Sequence, residues 1–180
     1  LGETELVATA MALCSDANLN EDNQAEGEPT ECALVNFAYS VGLHKAVLEQ
    51  VTPRVDEAPF DSGRKMMSTV HDLGGKFVQY TKGGPDVVLA RCTSYLDNGE
   101  VKPMTEEKKA QIMAVNKAMA DKALRVLAVA QRSWSEKPLT TSGLSFSYRN
   151  HRSSHSKVTS SGYTGGSFSA RGRSVCSSTR

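Results

Sequence analysis

Four short segments of the sequence carry residue types suited to binding an anionic ligand that contains an aromatic ring. They are residues 27–33 (GEPTECA), 60–68 (FDSGRKMMS), 82–89 (KGGPDVVL) and 125–130 (RVLAVA). An aromatic side chain in a loop can stack on a base, and lysine or arginine attracts phosphate. Glycines before a helix start let a ligand approach free backbone amides. Taken singly, each segment also fits a structural role: a helix cap, a core phenylalanine beside a basic turn, a glycine-rich turn, or a salt bridge.

Other common chemistries find little support in the sequence. The phosphate-binding pattern G-x-x-x-x-G-K-[ST] is absent. Cys14, Cys32, Cys92 and Cys176 are far apart with no C-x-x-C pair, which argues against zinc. We interpret them as free, buried residues of a reducing compartment. No apolar leader and no run of about 20 apolar residues occurs, so we expect a soluble chain without a signal peptide.

The charge distribution divides the chain into two parts. The net charge is +1, yet all 20 acidic residues precede Leu139. Thirteen of the last 42 residues are serine, and six of the 21 basic residues lie among them. A segment of this composition buries too little apolar area to offset its ordering entropy. We therefore predict a folded domain at residues 1–137 and a Ser/Arg/Gly-rich tail at 138–180 that is disordered or of non-native, out-of-frame origin.

The elements that must position the four segments follow from hydrophobic periodicity and turn signals. The patterns predict helices at about 3–15, 29–41, 85–92 and 106–123, and strands at 66–72, 76–82 and 125–131. Val78, Tyr80 and Lys82 are expected on one strand face. Thr105 is a predicted helix N-cap, and Pro53 and Pro59 are expected to interrupt regular structure. The buried stripe of the last helix is predicted as Ile112, Val115 and Met119. The fold class is α+β, an antiparallel sheet flanked by helices.

Together, the order and the amino-acid sequences of the four segments resemble those of the nucleotide-binding (N) domain of P-type (E1–E2) cation-transporting ATPases. The match is best to the calcium-pump and sodium-pump branch and covers residues 1–137, and the opening ALCSDA is similar to a helix of calcium pumps. The resemblance implies the N-domain fold, truncated at its N-terminal edge.

The same resemblance implies seven nucleotide-contacting residues drawn from all four segments. By this resemblance, Glu31 accepts a hydrogen bond from the adenine amino group, Phe60 stacks on the adenine ring, and Leu127 packs beside the base. Lys65 lines the pocket, Lys82 closes its floor, and Gly83 lets the base lie close. Arg125 reaches toward the β-phosphate. Ser62 stands where calcium pumps often carry arginine, so one phosphate contact is expected to be missing. Arg64 is the neighbour placed to compensate.

The resemblance further implies the cytoplasmic ATP-binding domain of an integral membrane pump that transports calcium. ATP, as Mg-ATP in the parent enzyme, is the expected ligand, and the phosphorylation and actuator domains are the expected partners. The phosphorylated D-K-T-G-T string is absent, so we expect no catalytic or metal-binding residue and no turnover by this chain alone. Two alternatives remain open. One is a sodium/potassium or proton pump, and the other is nucleic-acid binding through the basic tail, whose charge is dilute.

Overall fold

The computed structural model describes residues 2–138 and 156–159. Its helices are α1 (Glu3–Leu13), α2 (Pro29–Ser40), α3 (Lys45–Val51), α4 (Pro85–Leu89) and α5 (Glu106–Ala120). Its strands are β1 (Asn18–Leu19), β2 (Ala25–Glu26), β3 (Arg54–Asp61), β4 (Met66–Asp72), β5 (Phe77–Gly83), β6 (Ser94–Asp97), β7 (Glu100–Pro103), β8 (Ala128–Trp134) and β9 (Ser156–Thr159). The predicted α+β class is confirmed.

A seven-stranded sheet in the order β3-β4-β5-β8-β9-β6-β7 forms the centre of the described structure. Its neighbouring strands pair antiparallel except β6 and β9, which run parallel. The turn between β4 and β5 contains Gly74 and Gly75, both with positive φ, as a tight hairpin requires. The predicted β4–β5 hairpin is therefore confirmed.

The two faces of the central strands bury different helices. On one face Leu13 of α1 packs with Met67, Tyr80 and Val129 from β4, β5 and β8. On the other face α4 and α5 pack against β8, through residues that include Val88, Leu89, Ala130, Ile112 and Met113. The alternation of side chains along each strand produces this division. Because Val78 joins Tyr80 in the α1 cluster, the predicted common face of β5 is confirmed for this pair.

Strand β3 was not expected, because Pro53 and Pro59 indicate breaks in regular structure. Pro53 directly precedes the strand, and Pro59 lies within it. The strand is at the edge of the sheet, and its register with β4 shifts between Ala58 and Asp61. Proline has no N–H to donate, so it is tolerated at edges and irregularities of this kind. Helix α3, just before Pro53, was also missed.

The last helix and the last predicted strand both differ from expectation in detail. Thr105 caps α5, since its side chain accepts a hydrogen bond from the Lys108 N–H at 3.2 Å. The predicted burial of Val115 is wrong, because its side chain is 50% exposed. Ile112 packs against the core as predicted, although it is only partly buried, and Met113, which was not predicted, packs beside it. Strand β8 covers Ala128–Trp134 rather than 125–131, so its first residues form an extended approach to the strand.

Cys14, Cys32 and Cys92 are buried, as predicted, and Cys176 lies outside the described residues. The prediction for the tail 138–180 falls mostly outside the described residues as well. Strand β9 belongs to this part of the chain and inserts between β8 and β6.

Candidate functional site

The Lys82 ammonium, near the end of β5, forms an ion pair with the Glu31 carboxylate of α2. Both side chains are largely shielded from water, with exposed fractions of 8% for Lys82 and 14% for Glu31. The second carboxylate oxygen of Glu31 accepts a hydrogen bond from the Asp16 N–H at 2.9 Å. The first and third sequence segments therefore meet through a shielded pair of opposite charges.

The sequence before Glu31 fixes where its side chain starts. Pro29 occupies the first position of α2, and Glu28 is the N-cap. The Glu28 carboxylate accepts hydrogen bonds from the N–H groups of Thr30 at 2.9 Å and Glu31 at 3.2 Å. A carboxylate at this position satisfies free amides and opposes the helix dipole. Glu31 thus leaves a well-defined first helical turn.

Gly83 of β5 lies close against the backbone at the start of β4. It pairs with Met66, and a Cβ at Gly83 would lie 2.5 Å from the Lys65 carbonyl oxygen and 2.7 Å from the Met66 Cβ. Contacts this short require the two backbones to separate. The strand pairing therefore gives an independent reason for glycine here, and its contact with a base stays a prediction.

Lys65 begins the approach to β4 and carries an exposed ammonium group. Its φ is +55°, its carbonyl accepts the Gly84 N–H at 3.0 Å, and its Nζ lies 3.3 Å from Asp86 Oδ2. Burial of Asp86 works to raise the pKa of that carboxyl, but the hydrogen bond and charge of Lys65, together with hydrogen bonds from the backbone of Val87 and Asp86, outweigh it and the pKa is lowered. Lys65 is paired with Asp86 rather than with Glu31, and its side chain remains 60% exposed.

Strand β3 presents Phe60 to solvent near its end, just before the loop that leads to β4. Asp61 organises this loop, because its side chain accepts the Arg64 N–H at 2.7 Å and its carbonyl accepts the Lys65 N–H at 2.7 Å. Phe60 is 60% exposed, which is unusual for a large aromatic residue. The Arg64 guanidinium donates to the carbonyl of Pro59, in β3, at 2.7 Å. Its predicted compensation for Ser62 stays a prediction.

The segment before β8 reaches the same end of the sheet. Arg125 Nη1 lies 3.5 Å from Thr30 Oγ1, in the first turn of α2. Leu127 is half-buried and directly precedes Ala128, which pairs with Gly83 of β5. The fourth segment is thereby next to the first and the third.

The described contacts connect the four predicted segments at one end of the β4–β5–β8 sheet. Six of the seven predicted residues belong to this set through direct contacts or adjacent strand positions: Glu31, Lys65, Lys82, Gly83, Arg125 and Leu127. Phe60 lies near the end of β3, five residues before Lys65. The arrangement offers a carboxylate acceptor, an exposed ring and several cations, which are the groups that adenine and phosphate require.

Three residues that support the site were missed by sequence reasoning: Asp16, in the loop after α1, and the cations Lys45 and Arg54, which hold this loop. The hydrogen bonds from the two cations to the loop span 27 to 41 residues of sequence. Contacts of this length have no local pattern. The polar, turn-rich composition of residues 16–26 predicts a loop there, but not which residues hold it in place.

Within the part of the chain that the structure describes, no group of three or more His, Cys, Asp or Glu side chains is arranged to hold a metal ion. In the same residues, every helix is too short or too polar to cross a lipid bilayer.

The described residues form an α+β domain with the four segments gathered at one end of its sheet. Residues 3–165 match the family described as "P-type ATPase, cytoplasmic domain N". The chain therefore belongs to the P-type ATPase family, as a cytoplasmic N domain.

Similar proteins point to the same family. The chain is 40% identical to "Calcium-transporting ATPase 1" of Lactococcus lactis over 134 residues, which is 74% of this chain and 15% of that protein. It is 43% identical to "Calcium-transporting ATPase 1" of Bacillus cereus over 129 residues, 72% of this chain and 14% of that protein. It is 37% identical to "Cation-transporting ATPase pma1" of Synechocystis over 133 residues, again 72% and 14%. The matched part of the chain thus spans about one seventh of each relative.

Proposed function

We propose that this chain holds ATP for a calcium-transporting P-type pump and is cytoplasmic within that membrane protein. The observation that carries the proposal is the shielded Glu31–Lys82 pair, with the Arg125 guanidinium near Thr30 in the first turn of α2 and Phe60 exposed near the end of β3. Glu31 accepts a hydrogen bond from the adenine amino group, Phe60 stacks on the ring, and Lys82 forms the floor of the pocket.

The phosphates extend toward the remaining cations of the site. Arg125 reaches the β-phosphate, and Lys65 exchanges its contact with Asp86 for the pocket. Gly83 and Leu127 lie beside the base. Stacking contributes roughly 1–3 kcal/mol and each charge-assisted hydrogen bond roughly 1.5–3 kcal/mol before ordering costs. The net affinity is then about millimolar to tens of micromolar. An affinity in this range lets a pump exchange ADP for ATP.

The chain acts by binding and presentation rather than by turnover. Phosphoryl transfer requires a nucleophile and a metal at the γ-phosphate, and we propose that the phosphorylation domain of the parent pump supplies the nucleophile. Magnesium arrives with ATP, and the actuator domain is a further partner. Magnesium-dependent release of phosphate from ATP by the purified chain would contradict this division of roles.

Calcium is proposed as the transported ion because two of the relatives above carry calcium in their names. The Synechocystis relative is named only for cations. These names favour calcium over the sodium/potassium and proton alternatives. The alternative of nucleic-acid binding depends on a tail that lies mostly outside the described residues.

Phe60→Ala is expected to weaken ATP binding roughly 5- to 150-fold, because about 1–3 kcal/mol of stacking is lost. Stability should change by less than about 0.5 kcal/mol, since the side chain is largely exposed. Isothermal titration calorimetry measures the affinity, and urea unfolding measures the stability.

Leu73→Ala is the matched control for this experiment. Leu73 is 51% exposed and lies in the turn at the opposite end of β4. Its removal should leave ATP affinity unchanged. Equal weakening by both variants, or normal ATP binding by Phe60→Ala, would overturn the assignment of the stacking residue.

A further inference from the structure

The loop that follows α1 is held by a buried lysine. Lys45 of α3 donates from Nζ to the carbonyl oxygens of Ser15 and Ala17, both at 2.8 Å, and to Asn18 Oδ1 at 2.9 Å. Its side chain is only 4% exposed, and burial lowers the pKa of Lys45. Three oxygen acceptors on consecutive parts of one loop fix the course of its backbone.

An arginine holds the same loop from the other side. Arg54, the first residue of β3, donates from Nη2 to the carbonyl oxygens of Leu13 at 3.1 Å and Ser15 at 2.7 Å. Its Nη1 lies 2.7 Å from Asp16 Oδ1 and 2.7 Å from Glu57 Oε2. The planar guanidinium presents several donors in a fixed geometry. It therefore joins the end of α1, the loop and β3.

The loop held in this way presents one backbone amide to the proposed pocket. The Asp16 N–H donates to Glu31 Oε2 at 2.9 Å, while Lys82 holds the other oxygen. With both oxygens engaged, the orientation of the Glu31 carboxylate depends on where the loop places Asp16. A shift of the loop rotates the acceptor that is offered to the base.

We propose that Arg54, acting through Asp16, is a positioning residue that orients the Glu31 carboxylate and so sets the preference for adenine over a base with an oxygen at the same ring position. This inference rests on the proposed function. The adenine 6-amino group donates a hydrogen bond to a carboxylate, whereas the 6-oxo group of hypoxanthine repels it. A site built around such a hydrogen bond discriminates only if its acceptor is held in place.

The test compares the dissociation constants for ATP and for ITP, the hypoxanthine nucleotide, by calorimetry on the 180-residue chain. The wild type is expected to prefer ATP by roughly 10-fold or more, the value of one hydrogen bond to a charged group. In Arg54→Lys the charge is kept but the fork is lost. We expect weaker ATP binding with unchanged ITP binding, so the preference falls roughly 3- to 10-fold.

A purely structural role of Arg54 predicts a different result. Loss of folded protein weakens both nucleotides equally and leaves their ratio constant, and that outcome in Arg54→Lys would overturn the inference. Asp16→Ala is the second variant, because the Asp16 side chain is 60% exposed and its removal leaves the fold intact. It should lower the ratio in the same direction by a smaller factor. A wild-type ratio in Asp16→Ala also overturns the inference.

Glu57→Gln is the matched control. It removes the charge of the other carboxylate partner of Arg54 without touching the loop, so the ATP/ITP ratio should equal that of the wild type. A lowered ATP/ITP ratio in this variant would show that any change near Arg54 alters base preference. That result would contradict an effect transmitted specifically through Asp16. Failure of the wild type to bind ATP overturns the proposed function itself, a result distinct from binding with an unaltered ratio in the variants.

Discussion

Lys82→Met is expected to lower the free energy of unfolding by about 3 kcal/mol and to weaken ATP binding strongly. The substitution leaves the largely buried Glu31 carboxylate without its ammonium partner. Removal of one member of a shielded ion pair costs about 3–5 kcal/mol, because the remaining charge stays desolvated. Loss of one charge-assisted contact to the nucleotide weakens binding by about 1.5–3 kcal/mol, roughly 10- to 150-fold. Urea unfolding and calorimetry at neutral pH measure the two effects.

The double variant Lys82→Met/Glu31→Gln separates stability from binding. The neutral glutamine still accepts the Asp16 N–H, and no unpaired charge remains. Much of the lost stability should return, whereas ATP binding should not. Recovery of both quantities would show that neither residue contacts the nucleotide. A drop of less than about 1 kcal/mol in Lys82→Met would show that the pair is well solvated.

Gly83→Ala is expected to destabilise the domain by about 3 kcal/mol or more and to weaken ATP binding with it. The added methyl would lie 2.5 Å from the Lys65 carbonyl oxygen and 2.7 Å from the Met66 Cβ. Both strands are buried there, so the strain is relieved only by separating β4 from β5. The separation also displaces Lys65 and Lys82 from their positions in the site. Urea unfolding gives the stability, and ATP titration gives the affinity.

Gly63→Ala is the control for Gly83→Ala. At Gly63 the nearest atom to an added Cβ is Asp61 Oδ1, at 3.3 Å on an exposed side chain that can move. Its cost should be below about 1 kcal/mol. Equal destabilisation by the two variants would mean that strand proximity at Gly83 is not the cause.

Local signals in the sequence predicted a large part of the fold. The strands predicted at 66–72 and 76–82, separated by the Gly-Gly turn, agree with β4 and β5 to within one residue. The prediction that Thr105 caps α5 was also correct, because the hydrogen bond from the Lys108 N–H spans only three residues. Features of this kind depend on neighbours along the chain, and the sequence displays them directly.

The features that were missed depend on tertiary position. Pro59 indicated a break, but an edge strand with an irregular register accommodates it. Val115 fitted a helical stripe, yet α5 packs on the side centred on Ile112 and Met113. The burial of a helix face is set by its partner, which periodicity does not specify to one residue.

The candidate site shows the same division. Its seven residues were placed by the resemblance, and the contacts of Glu31 with Lys82 and of Arg125 with Thr30 agree with a common location. The supporting roles of Arg54 and Lys45 could not be predicted. In the sequence, a cation that binds distant backbone carbonyls cannot be distinguished from a surface cation. Supporting residues of a site are therefore harder to predict than the residues that contact a ligand.

The most direct test of the account is an NMR titration of the ¹⁵N-labelled chain with ATP. We predict that amide signals in all four segments, 27–33, 60–68, 82–89 and 125–130, shift together and saturate with one dissociation constant. The same titration of Phe60→Ala should require much higher ATP. Shifts confined to a single segment, or an unchanged spectrum at millimolar ATP in the folded wild-type protein, would contradict a shared nucleotide pocket.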